Sequence, residues 1–273
     1  MTTYRFRAGS SSSPRGWFIT GGRGFNTSRL NPINSTELFA EGVWKLGPEL
    51  PVPLFRHCQV QVDDTVFVIG GDKSPGDVSH HVYSLDVSNL NNSTWKSLNK
   101  LKTGRADPAC VYRDGLIYVI GGYIYVDDED GGIKRKYFNS TEIYNLKTAA
   151  WTEGPFLSPT MSTDGLHAIN YQGQIYLYGW QPPFVRTVVK LNNRNQWEEA
   201  YEIENSHSQY PAIFREHQII PSTIICKPCG KLTKRNKKAG TELGQAQHKR
   251  GFDFTLIFCR FGSSRSDFIE FIC

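Results

Sequence analysis

Thr65-Val-Phe-Val-Ile-Gly-Gly71 decides how this chain is read: five strand-forming residues closed by two glycines. Leu116-Ile-Tyr-Val-Ile-Gly-Gly122 repeats it, Trp17-Phe-Ile-Thr-Gly-Gly22 opens with it, and Gln174-Ile-Tyr-Leu-Tyr-Gly-Trp180 keeps only the first glycine. Gly21, Gly70, Gly121 and Gly179 are spaced by 49, 51 and 58 residues. A period near 50 points to a repeat architecture, in which each unit buries its faces only against its neighbours.

A second marker keeps phase with the first. Trp44, Trp95, Trp151 and Trp197 each follow their glycine within a short amphipathic run. Paired glycines supply positive φ or allow close backbone approach at a strand end. A tryptophan on the last strand supplies area to pack one sheet on the next. Small antiparallel sheets repeated radially make a β-propeller, so the expected fold is all-β with about four four-stranded blades.

Between glycine and tryptophan lies a third run: Ser35-Thr-Glu-Leu-Phe39, His80-His-Val-Tyr-Ser-Leu85, Ser140-Thr-Glu-Ile-Tyr144 and Arg186-Thr-Val-Val-Lys-Leu191. An apolar strand ending in Gly-Gly, then a tyrosine-bearing strand, then a tryptophan-bearing strand resembles the kelch repeat. Tyr83 and Tyr144 are taken as its tyrosine, and the resemblance covers residues 17 to 215. It implies structural roles for Gly21, Gly22, Gly70, Gly71, Gly121, Gly122 and Gly179 and for the four tryptophans. Kelch propellers typically have six blades, so four imply either a small closed ring or an open one.

Residues 1–16, polar and serine-rich, have no apolar core of a signal peptide and read as a disordered leader. The propeller is expected over 17–216. Unit one lacks an inner strand and Gln209-Tyr-Pro-Ala-Ile-Phe214 is a surplus one, so the latter is expected to close the ring by pairing with Trp17–Thr20. Residues 217–273 read as a basic, poorly ordered tail carrying Lys231-Leu-Thr-Lys-Arg-Asn-Lys-Lys238. From residue 206 onward 11 Lys or Arg face 5 Asp or Glu, leaving 20 against 21 in residues 1–205; the basic charge belongs to the tail. That run reads as a solvated segment, with nuclear import or phosphate binding as the alternative.

No run of about 18 apolar residues exists, and no membrane contact or nucleic-acid binding by the propeller is expected. Cys226-Lys-Pro-Cys229 lacks a second ligand pair for zinc. Cys58 and Cys110 fall in inner strands and read as buried thiols that act as small hydrophobes, and few cysteines in a chain of this length favour a reducing, cytoplasmic compartment. The sequons at Asn26, Asn34, Asn91, Asn92 and Asn139 would matter only in a secreted protein.

His57 and His167 lie near the ring centre, where some kelch-fold enzymes hold copper or iron. No carboxylate or tyrosinate motif accompanies them, so they read as core histidines and no catalytic residue, metal or cofactor is expected. The loops after each Gly-Gly vary in length, and loops on a rigid scaffold collect recognition residues. The expected partner-binding residues are Arg23, Asp72, Tyr123, Tyr125, Asp127, Asp128 and Glu129 on these loops, with Arg56 and Arg105 on the segments leading to inner strands. The resemblance implies a non-enzymatic module that binds a protein, as a ubiquitin-ligase substrate adaptor or an actin binder. A metal-dependent enzyme or a truncated, non-functional fragment are the alternatives. An open ring implies self-association.

Overall fold

The computed structural model describes residues 4–13, 15–26, 29–159, 161–181 and 185–203. All of them are strand, turn or irregular backbone. They fall within one unit spanning Met1–Ser206; strand 209–214, the Cys226–Cys229 pair and the basic tail lie outside the described residues.

Along the chain, the first repeat contains β1 (Arg5–Phe6), β2 (Gly9–Ser13), β3 (Gly16–Thr20), β4 (Arg23–Asn26), β5 (Arg29–Pro32), β6 (Thr36–Ala40) and β7 (Val43–Gly47). The second contains β8 (Cys58–Val62), β9 (Thr65–Ile69), β10 (Asp72–Ser74), β11 (Asp77–Val78), β12 (Val82–Asp86) and β13 (Lys96–Ser97). The third contains β14 (Ala109–Arg113), β15 (Leu116–Ile120), β16 (Tyr123–Asp127), β17 (Ile133–Tyr137), β18 (Thr141–Asn145) and β19 (Ala150–Glu153). The fourth contains β20 (Ser162–Tyr171), β21 (Gln174–Gln181), β22 (Val185–Leu191) and β23 (Trp197–Ile203). Each repeat forms one four-stranded antiparallel sheet: β2-β3-β6-β7, β8-β9-β12-β13, β14-β15-β18-β19 and β20-β21-β22-β23.

Where the described residues reach into the expected leader, over 4–13, they include two strands. Gly9–Ser13 pairs with Gly16–Thr20 as the inner strand of sheet one. This edge of β3 is already occupied, so residues 209–214 are not needed there. Its serines carry no apolar alternation, the pattern by which a half-buried strand is legible in sequence.

The core lies between sheets. Val66 and Val68 face sheet one with Phe18, Leu38, Tyr83 and Leu85. Phe67 and Ile69, the alternate residues, face sheet three with Ile117, Val119 and Tyr144. Sheets three and four enclose Tyr118, Ile120, Ile175, Leu177 and Leu191. A strand apolar on both faces is what a sheet buried on both sides requires, and each such side chain contributes about 1.5–3 kcal/mol. Inner strands follow one another, β2 against β8, β8 against β14 and β14 against β20. Among the described residues sheets four and one are not packed in this way.

Each sheet is also tied to the one before it by its tryptophan. The indole N–H groups of Trp95, Trp151 and Trp197 donate to the carbonyls of Pro48, Asn99 and Pro155, which follow the outer strand of the preceding sheet. Trp44 begins the row and makes no such bond among the described residues. Trp151→Ala is thus expected to cost about 3–5 kcal/mol, as for a packed aromatic, and Trp44→Ala clearly less. Denaturant melts of the two variants check this, and equal losses would refute the inter-sheet role.

The tyrosine register differs from the sequence reading. Thr36, Val82 and Thr141 pair with Thr20, Ile69 and Ile120, the residues before the first glycines. Leu85 is therefore the counterpart of Tyr144 and Phe39, and Tyr83 takes the place of Glu37 and Glu142. An aligned-looking tyrosine two residues out of phase sits on the same face of a strand, so face periodicity could not reveal the shift.

Candidate interaction surface

Geometry at the Gly-Gly pairs builds this surface. Gly70 and Gly71 have φ of 69° and 89°. A methyl added at Gly70 would sit 2.6 Å from the Arg105 carbonyl, on the segment leading to sheet three. One added at Gly71 would sit 2.8 Å from the Phe55 carbonyl, on the segment leading to its own sheet. The turn is wedged between two incoming segments, and no other residue fits. Sheet four lacks this wedge: its ladder runs through Gly179, paired with Thr187, and on through Trp180.

After the wedge the chain turns outward. The segments expected as irregular loops are hairpins: β4-β5, extended by β1, then β10-β11 and β16-β17. Their first residues, Arg23, Asp72 and Tyr123, are equivalent. Isolated bridges Phe55↔Asp72 and Ala106↔Tyr123 tie two of them to the incoming segments. Next along those segments stand Arg7, Arg56 and Asp107, all with left-handed backbone. The Arg56 amide donates to the Arg7 carbonyl at 3.0 Å and the Asp107 amide to the Arg56 carbonyl at 2.7 Å. One backbone relay thus links three sheets at the hairpin end.

Arg56 holds the side chains together. Its Nη1 donates to Asp72 Oδ2 at 3.0 Å and to the Tyr125 hydroxyl at 2.7 Å. Asp72 is wholly buried, and burial pushes its carboxyl above the usual range while Arg56 pulls it down. Tyr123 is wholly buried too, its phenol pushed up by burial. It meets the Tyr125 and Tyr137 rings edge-on, with both centroids at 5.5 Å. Asp72 and Tyr123, expected to touch a partner, instead support Arg56, Tyr125 and Tyr137, which reach solvent. On the hairpin tip Asp127 and Glu129 are exposed, and Asp128 is neutralised by Lys134 at 2.6 Å.

Arg105 departs most from expectation. It is buried, its Nη2 donating to Glu142 Oε1 at 2.7 Å and its Nη1 to the Gly121 and Ser140 carbonyls at 2.9 and 3.1 Å. Arg5 repeats this in sheet one with Glu37 at 2.6 Å and the carbonyls of Gly21 and Ser35. These arginines pin sheets one and three to their incoming segments, and their burial leaves them little surface for recognition. Position beside a loop suggested recognition; the matching Glu in both Ser-Thr-Glu runs was the available signal for a pin.

The cysteines and histidines also differ. Cys58 and Cys110 form a disulfide between the inner strands of sheets two and three, with Cα atoms 5.9 Å apart. They are paired, where the sequence reading has them as buried thiols. His57 is buried: the Gly9 amide donates to its Nε2 at 3.2 Å, and the Thr20 hydroxyl lies 2.7 Å from the same atom. That nitrogen is not open to a metal. His167 is exposed on β20, paired with Tyr178. Among the described residues no three His, Cys, Asp or Glu side chains are grouped to hold a metal ion.

Comparison with known proteins agrees with the fold. The Kelch motif matches residues 104–155, which span sheet three. Kelch repeat and BTB domain-containing protein 12 of Danio rerio is 27% identical over 216 residues, covering 73% of this chain and 34% of that protein. Its Homo sapiens namesake is 30% identical over 147 residues, covering 50% and 23% respectively. Kelch-like protein 22 of Rattus norvegicus is 28% identical over 112 residues, 41% of this chain and 17% of the other. The chain spans about a third of the length of the first of these relatives and less of the others. The solved structure of YjhT superposes with a TM-score of 0.60 at 13% identity, covering 74% of this chain and 70% of that one, a likeness of fold. The chain carries a kelch motif and is similar to kelch-repeat proteins, and its fold is the β-propeller.

Proposed function

We propose that this chain is a protein-interaction module that grips a partner with its hairpin end. The observation that carries this is the convergence of three hairpins, one after each Gly-Gly wedge, on a single end of the scaffold, with Tyr125, Arg135 and Tyr137 held at the surface by Arg56 and Tyr123. Tyrosine and arginine are the usual anchors of interfaces, and a supporting layer that fixes their rotamers lowers the entropy lost on binding. Relatives named for kelch and BTB domains support a role as the substrate-recognition part of an adaptor, with cytoskeletal binding as the variant reading.

Site-specific photo-crosslinking tests it. With a crosslinker at Tyr125 or Ile133, a discrete partner adduct is expected in cells; at Thr148, on the outer turn of sheet three, none is. Adducts from Thr148 alone would sink the reading.

A further inference from the structure

Each later sheet packs on the one before it, and among the described residues sheet one has none before it. Its face on that side is nevertheless a packing face. Trp17, Phe39 and Trp44 stand side by side across β3, β6 and β7, with ring centroids 6.0 and 5.0 Å apart. Their counterparts in sheet three, Ile117, Tyr144 and Trp151, pack with Phe67, Ile69 and Leu101 of the preceding repeat, and Ile117 and Tyr144 are 0% and 3% exposed. Trp17 and Phe39 are only half-buried, and Leu46, next on the same face, is 70% exposed.

The other junctions show what such a face receives. Pro48 and Leu50 follow Trp44 at the same spacing as Asn99 and Leu101 follow Trp95 and as Pro155 and Leu157 follow Trp151. In each copy the first carbonyl accepts the indole N–H of the next sheet's tryptophan, and the leucine fills the junction, 2%, 3% and 2% exposed. Proline suits the first position, since it has no amide to satisfy and favours an extended chain. After Trp197 the same positions are Tyr201 and Ile203, but these stay in β23, paired with Val188 and Arg186. The fourth copy is thus retained in its own ladder, and the indole N–H of Trp44 has no acceptor among the described residues.

We propose that this face of sheet one is a docking site for an extended Pro-x-Leu segment of a partner protein. Trp44 donates to the proline carbonyl, and the leucine lies on Trp17, Ile19 and Phe39. Ile19 stands where Val119 lines the Leu101 junction. The occupant thus continues an interface that the chain already makes three times. The site is separate from the hairpin grip, because Phe39 and Trp44 flank the β6–β7 turn at the other end of the sheet.

A second copy of this chain fits less well. The leucines of all three copies are buried in their own junctions, so another folded chain has none of them to offer. A row of aromatic rings beside an indole donor is the kind of surface on which a few side chains carry most of the binding energy.

The experiment uses the full chain and a fluorescein-labelled peptide Glu-Gly-Pro-Phe-Leu-Ser-Pro, the sequence of residues 153–159, followed by anisotropy. Saturable binding is expected, weakened about fivefold by Trp44→Phe, which keeps a ring and removes the donor, and about tenfold when the peptide's leucine is replaced by alanine. Lys147→Gln, on the outer turn of sheet three, should leave it unchanged. Leu46→Glu alters an exposed residue on the same face and is expected to weaken binding about tenfold, so it remains informative if Trp44→Phe perturbs folding. No saturable binding, equal affinity for the alanine peptide, or unchanged affinity in Leu46→Glu overturns the proposal. Self-association that Leu46→Glu abolishes would put a second copy on this face and overturn it too. Crosslinks from Tyr125 do not depend on this face, so the hairpin reading stands or falls separately.

Discussion

Glu142→Leu is expected to destabilise the fold by about 3–5 kcal/mol, because it leaves a buried guanidinium without its counter-charge. Glu142 is 4% and Arg105 1% exposed in their side chains. The carboxylate accepts three bonds: from Arg105 Nη2, from the Thr103 amide at 3.1 Å and from the Lys102 amide at 2.8 Å. Leucine would strand both amides and the cation together. Burial lowers the Arg105 pKa, and Glu142 raises it again, so the pair is what allows the charge to remain inside. Arg105→Met combined with Glu142→Leu is expected to recover only the part of the loss due to the unpaired charge, since the Lys102 and Thr103 amides and the Gly121 and Ser140 carbonyls remain without these partners. A urea melt of the single and double variants measures the difference. A single variant as stable as the parent, or a double variant no better than the single, would show that the pair is not a pin.

How much of this was legible in sequence divides along physical lines. Val66–Ile69 and Leu116–Ile120 announced themselves because a strand buried on both faces must be apolar throughout, and the Gly-Gly wedge because only glycine fits it. Gly9–Ser13 did not: an inner strand beside His57 needs small residues, since a methyl at Gly9 would lie 2.7 Å from the imidazole Cδ2. Small polar residues read as linker. The hairpin end was found, since Arg23, Asp72 and Tyr123 follow the wedge directly. The division of labour within it was not. Whether an arginine or tyrosine faces solvent or supports one that does depends on contacts across sheets, such as Arg56 with Tyr125, 69 residues apart. Arg7, Arg135 and Tyr137 were passed over for the same reason.

Acid sensitivity should originate at His57. Burial pushes its pKa down to about 3, and the positive charge of Arg5 acts in the same direction, against the contact with Thr20. In the unfolded chain the ring titrates near 6.5, so below that pH the unfolded state binds a proton that the folded state refuses. The contribution is therefore complete above pH 6.5 and is lost as pH falls, at about 1.4 kcal/mol per unit. By pH 5 the cost reaches about 2 kcal/mol. Most carboxylates stay ionised over this window, and His81 and His167, whose pKa values burial also lowers, add slope of the same sign; His57 is the most deeply buried of the three and contributes most. His57→Gln keeps an acceptor for the Gly9 amide and cannot titrate; its stability between pH 6.5 and 5 should fall less steeply than the parent's, His81 and His167 supplying the remaining slope. Parallel slopes in denaturant melts of the two would place the acid-sensitive group elsewhere. The consequence reaches the surface, because His57 follows Phe55 and Arg56 in one segment. A proton forced onto Nε2 would face the Gly9 amide, donor against donor, so the contact of β2 with β8 and the Arg56 bonds at the hairpin end are expected to loosen in the same pH range.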